Sequence, residues 1–94
     1  MKRKTEHKSK HYVYIVCCSR GTYYTGYTND LEKRMETHNS GKGAKYLRGR
    51  TPVELVYTEE CKCLEDALQR EHEIKKLTRR RKEELVKRNL KVEL

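Results

Sequence analysis

The sequence has no Trp and no Phe, so each of its seven aromatics is a Tyr. Tyrosine packs like any aromatic but carries a hydroxyl that needs a partner when buried. The aromatic part of the core therefore has wet edges, or some of its hydroxyls work at a site. Composition does not separate the two. Aliphatic residues are scarce too, at 9 Leu, 2 Ile and 6 Val among 94 residues. With a net charge of +9, that content alone leans towards disorder. The order of the residues argues the other way. Apolar positions gather into three short strand-like runs and two or three amphipathic helical stretches. The expectation is one small, very polar domain with a thin stability margin.

Long hydrophobic runs are missing. None approaches the ~20 residues that cross a bilayer, and no apolar stretch follows the charged N-terminus, so neither a membrane span nor a secretory signal is expected. The four cysteines are Cys17, Cys18, Cys61 and Cys63. Adjacent and near-adjacent cysteines on strand-like segments suit disulfide geometry poorly. The C-C and C-x-C spacings also lack the separation of a zinc site. A reducing, cytoplasmic setting follows. Acidic residues are the last deficit, with 14 Asp and Glu against 23 Lys and Arg. Such an excess calls for a polyanionic partner, and nucleic acid is the commonest. No helix pairs a wide apolar face with a basic one, which disfavours a membrane surface.

Residues 1–10 read as a flexible basic arm and residues 11–94 as the single domain. Tyr12–Cys18 is β-branched and aromatic on both faces, a central strand. A tight turn at 19–22, with Gly21 at positive φ, leads into a second strand, Tyr23–Thr28. Gly26 inside that strand marks a bend or a close approach. Asn29 is placed to cap a helix over Asp30–Asn39, with Glu32 as its reciprocal partner. A basic, glycine-bearing loop, Ser40–Arg50, holds a short helical possibility at Ala44–Leu47. A third strand spans Glu54–Thr58 and a long helix Leu64–Leu77. Thr78 then caps a last helix over Arg79–Arg88. The fold class is α+β, a three-stranded, mainly antiparallel sheet flanked by helices in the order β-β-α-β-α-α.

Five features look chemical. Glu71 falls on the stripe formed by Leu64, Ala67, Leu68 and Ile74, where a carboxylate is costly unless paired or metal-bound. The plainer account is a helix rotated so that Glu71 pairs with Lys75 or an Arg. Arg34 and His38 lie four residues apart on the first helix, one suited to phosphate oxygens and the other to proton exchange near neutral pH. A snorkelling Arg and a surface His are the commoner outcome. Tyr14 and Tyr24 share a sheet face, where two hydroxyls could flank a phosphate or simply pack across strands. Lys42, Lys45, Tyr46, Arg48 and Arg50 form a basic segment with an aromatic for stacking. Arg79, Arg80 and Arg81 open the last helix against its dipole, a conflict that a polyanion relieves.

In order along the chain, these residues resemble a known family. Tyr12-Val13-Tyr14 on one strand, Tyr24-Thr25-Gly26 on the next, Asn29-Asp30-Leu31-Glu32-Lys33-Arg34 opening a helix, and Glu71 within Ala67-Leu68-Gln69-Arg70-Glu71 together resemble the GIY-YIG nuclease superfamily. The basic loop with Pro52 is similar to that of its short stand-alone members. Tyr12 stands where the family's first glycine falls. The resemblance implies hydrolysis of a DNA phosphodiester, with DNA preferred over RNA, assisted by one divalent cation, Mg²⁺ or Mn²⁺. It implies that Glu71 holds the metal, Arg34 stabilises the transition state, Tyr14 and Tyr24 position or deprotonate water, His38 assists, and Gly26 lets the backbone approach. Because the family's nucleases usually recruit targets through another domain, a separate targeting protein is implied. A non-catalytic nucleic-acid-binding module on the same fold is the alternative. A small RNA- or ribosome-associated protein is a more distant one.

Overall fold

The computed structural model describes residues 10–93. The expected basic arm at 1–10 therefore lies outside them, apart from Lys10. Three strands form one antiparallel sheet: β1 (His11–Cys17), β2 (Tyr23–Thr28) and β3 (Glu54–Cys61), in the spatial order β2-β1-β3. The apolar run on both faces of β1 makes it the central strand. Val13, Tyr14, Ile15 and Val16 are fully buried.

The period-2 alternation of β1 divides the core in two. Val13 and Ile15 face α2 (Leu64–Lys75) and α3 (Arg79–Glu93), where they pack with Ala67, Ile74 and Val86. Tyr14, Val16 and Cys18 face the other way. They pack with Leu31 and Met35 of α1 (Leu31–Asn39), with Leu47 of the short 3₁₀ turn Lys45–Leu47, and with Val53. The sheet is thus covered on both faces, while β2 and β3 leave open edges.

Several boundaries differ from the sequence reading. The α1 cap is Asp30, one residue after Asn29, and the Asp30 carboxylate accepts from the Lys33 N–H at 3.1 Å. Either residue type can cap; the Thr28 hydroxyl engages the Asp30 backbone and fixes the entry one residue on. β3 runs to Cys61, beyond Thr58, because it pairs along the whole of β1, with a register shift opposite Ile15 and Val16. Its charged end persists because Arg70 of α2 donates to Glu59 at 2.7 Å, and Tyr57 donates to the same carboxylate at 2.7 Å. α2 stops at Lys75, and α3 extends to Glu93. Thr78 does cap α3, its hydroxyl accepting from the Arg81 N–H. The stripe on α2 is turned from the expected one. Leu64 and Leu68 are 43% and 47% exposed, whereas Ala67 and Ile74 are fully buried. Glu71 lies between those two buried positions on the inward face.

Candidate active site

The site begins with a missing side chain. Tyr14 on β1 is the cross-strand partner of Gly26 on β2, and a Cβ at Gly26 would stand 2.5 Å from the Tyr14 hydroxyl oxygen. The Tyr14 ring therefore lies across the glycine, towards the open β2 edge. Val16 pairs with Tyr24, so both tyrosines sit on the α1 face of the sheet, as expected.

His38 comes down on this pair from the last turn of α1. It is 1% exposed, so it is not a surface histidine. Its Nε2 lies 2.8 Å from the Tyr14 hydroxyl, and its ring meets the Tyr24 ring edge-on at 5.8 Å. Its Nδ1 is buried with no hydrogen-bond partner among the described residues. Gly43 of the basic loop closes over the same ring, and a Cβ there would strike it. Burial, followed by the Arg34 charge, pulls the His38 pKa below its ordinary 6.5 and keeps the imidazole neutral at pH 7. Burial pushes the Tyr14 phenol up to about 12, against the pull of Arg34, with smaller upward pushes from Tyr24 and Glu71. Arg34 and Glu71 come from helices on opposite faces of the sheet, yet both act on the Tyr14 hydroxyl.

Glu71 is half-buried, its side chain 19% exposed, and Lys75 reaches its carboxylate at 3.3 Å. The pairing that the sequence offered as the plainer account is therefore present. It also shows that this carboxylate draws a cation. Among the described residues no three His, Cys, Asp or Glu side chains converge, so they form no three-ligand cage, and Glu71 is the carboxylate beside the Tyr14 cluster. A single hard oxygen donor suits Mg²⁺ or Mn²⁺, since Mg²⁺ keeps several of its waters and takes one or two protein carboxylates. All four cysteine thiols are free.

The basic residues reach the β2 edge from two directions. The Tyr46 ring stacks on Tyr24 at 6.0 Å, the Arg50 guanidinium lies over the Tyr46 ring at 4.4 Å, and the Tyr46 hydroxyl donates to the Thr22 hydroxyl at 3.1 Å. Tyr46 therefore has an aromatic and a cationic neighbour within the chain while remaining 43% exposed. From α3, Arg79 lies over the Tyr23 ring at 4.7 Å and pairs with Glu83 at 3.0 Å, which answers its conflict with the helix dipole locally. Arg80 and Arg81 are exposed. Lys42 joins Lys33 and Arg34 around a surface pocket of about 380 Å³ between α1 and the loop. Lys45 and Arg48 are exposed on the 3₁₀ segment, where the Arg48 Nε donates to the Gly43 carbonyl at 3.4 Å. A second groove of about 390 Å³ runs along β2, lined by Tyr23, Tyr24, Thr25, Tyr46, Lys75 and Lys82. The sequence reading did not place Thr25, Lys75 or Lys82 on a groove, because nothing local marks one lysine among many as facing one.

A three-stranded antiparallel sheet helix-covered on both faces, with a tyrosine–histidine–arginine cluster at one edge, defines a small α+β domain with a polar, basic site. The chain belongs to the GIY-YIG family: the GIY-YIG catalytic domain matches residues 10–84. A UPF0213 protein of Natronomonas pharaonis is 58% identical over 76 residues, covering 81% of this chain and 89% of the relative. UPF0213 protein YazA of Bacillus subtilis is 49% identical, covering 88% and 86%. The solution NMR structure of a UPF0213 protein from Bacillus halodurans, at 52% identity, matches with a TM-score of 0.55 over 83% of each chain. The solution NMR structure of a protein from E. faecalis, at 42% identity, gives a TM-score of 0.58 over 83% of each chain. The family is one of nucleases and implies nucleic acid as the partner. Among the described residues no helix is long and apolar enough to cross a membrane.

Proposed function

We propose that this chain is a metal-dependent endonuclease that hydrolyses DNA phosphodiester bonds. The observation that carries the reading is the Tyr14 hydroxyl. It is bonded to a buried, neutral His38 and subject to the charges of both Arg34 and Glu71. A purely structural tyrosine has no need of a titratable partner and two opposed charges.

Glu71 would hold one divalent cation, Mg²⁺ or Mn²⁺, in place of the Lys75 ammonium. When bound, such a cation polarises the phosphate and eases departure of the leaving oxygen. The remaining work falls to side chains. Arg34 offers a planar fork to the phosphate oxygens as their negative charge grows. With its pKa near 12, Tyr14 is a phenol at neutral pH and not a ready-made base. It accepts a proton from the attacking water while passing its own to His38 Nε2, in the tautomer that carries hydrogen on Nδ1. Tyr24, whose ring braces His38, orients the water. Gly26 keeps the approach open. Lys42, Lys45, Arg48, Arg50, Arg79, Arg80 and Arg81 bind the DNA backbone without reading sequence, with Tyr46 holding Arg50 in place. Choice of target then rests on a separate partner, in a cytoplasmic setting.

The test is cleavage of supercoiled plasmid and branched DNA in Mg²⁺ or Mn²⁺ by wild type and Arg34→Ala, with folding and DNA binding measured on both. Wild type cuts, and Arg34→Ala binds but is slower by about a hundred-fold or more, the usual cost of one transition-state donor. Equal cutting by the two would remove Arg34 from the chemistry. Binding without cutting by either would leave the fold as a binding module.

A further inference from the structure

The groove along β2 contains charges that the proposed chemistry does not use. Lys82 of α3 and Lys75 of α2 both line it, together with Tyr23, Tyr24, Thr25 and Tyr46. Lys75 has Glu71 as its partner. Lys82 is half-buried and, among the described residues, has no carboxylate within salt-bridge distance. Ammonium groups are strongly hydrated, and a half-buried one facing another positive charge is held at a cost unless an anion joins it. Burial, and then the Lys75 charge, lower the pKa of Lys82 accordingly.

A second observation lies on the floor of the groove. Thr25 is 2% exposed, and its hydroxyl is buried with no hydrogen-bond partner among the described residues. An unpaired buried hydroxyl is uncommon and costs stability. Thr25 lies between Tyr24 and Gly26 in chain order but points to the opposite face, as the cross-strand partner of Ile15. Two ammonium groups and an unspent hydroxyl donor around one groove, beside the Tyr24 ring, make a receptor for tetrahedral oxyanions.

We infer that Lys82, Lys75 and Thr25 form a phosphate-binding site for the nucleotide next to the scissile bond, so that α3 takes part in holding the substrate. The inference rests on the nuclease reading only in taking the oxyanion to be a DNA phosphate. The groove volume of about 390 Å³ falls within the range of a site for one small ligand. Lys82 supplies charge, and Thr25 supplies direction as a neutral donor. Lys75 is shared: it neutralises Glu71 until a cation takes its place, and is then free to turn to the phosphate.

The two kinds of contact leave different signatures in DNA binding, which needs no cleavage to measure. Fluorescence anisotropy of a labelled duplex over a salt series gives the slope of log affinity against log salt. Lys82→Gln lowers that slope by about 0.9, one phosphate contact on duplex DNA. Thr25→Val weakens binding at every salt concentration while leaving the slope unchanged. It does not lower Tm, because an unpaired hydroxyl is lost. Lys87→Gln, an exposed control on the same helix, moves the slope by less than Lys82→Gln. An unchanged slope in Lys82→Gln, or unchanged affinity in a folded Thr25→Val, overturns the inference and leaves the nuclease reading standing. If both variants behave as expected but wild type cuts no DNA, the phosphate site stands and the nuclease reading falls. A wild type that binds no duplex sinks both.

Discussion

The most informative single position is His38. Its depressed pKa means that, as pH falls, the unfolded chain takes up a proton before the folded chain does. The stability gained by keeping the imidazole neutral is fully present above pH 6.5 and is lost as pH falls through the lower folded-state value. Thermal melts above and below pH 6.5 should show this acid-side loss, and His38→Gln should show less of it. The cleavage rate should fall over the same acid range, because a protonated Nε2 cannot accept from Tyr14. Tyr14→Phe tests the other end of the bond. It keeps the ring and the packing, and should slow cleavage by about a hundred-fold or more, the usual contribution of a positioned proton-transfer group, with DNA affinity little changed. At this scale the sequence was informative about identity and poor on environment. Tyr14, Tyr24, Arg34, His38 and Glu71 could be singled out as candidates by spacing and resemblance. That His38 is buried and that Tyr46 stacks on Tyr24 depend on contacts between segments distant in the chain.

At the scale of elements, Gly26 and Asp30 carry the argument. Gly26 allows the Tyr14 ring to cross to the β2 edge. Gly26→Ala places a methyl against a ring that is pinned by His38 and fully buried, so the ring cannot swing away freely. The expected loss is about 1–3 kcal/mol of stability, as for other overpacked sites, measured by urea unfolding. Activity should fall further than stability accounts for. Asp30→Ala removes the α1 cap and should cost about 1 kcal/mol. Arg34 and His38 ride on that helix, so fraying at its start reaches Arg34 first. The strands and helices were readable from local pattern where alternation or periodicity was strong, as in β1, β2 and α1. β3 beyond Thr58 was not, because Glu59 and Glu60 look like a loop until Arg70 and the length of β1 are known. The α2 stripe was misjudged for a related reason. Leu64 and Leu68 are apolar by type, but the sheet meets the helix along Ala67, Glu71 and Ile74.

For the whole molecule, the excess of basic residues governs association more than stability. With a net charge of +9, DNA affinity should fall steeply with salt. That loss alone says nothing about catalysis, since a binding module would behave the same way. On the proposed reading, Glu71 makes the site metal-dependent. The most direct measurement is the rate of plasmid nicking against Mn²⁺ concentration for wild type and Glu71→Gln, both shown to be folded and to bind DNA. Wild type should show a saturating rise and Glu71→Gln a flat line at background. A Glu71→Gln curve that follows wild type would contradict it.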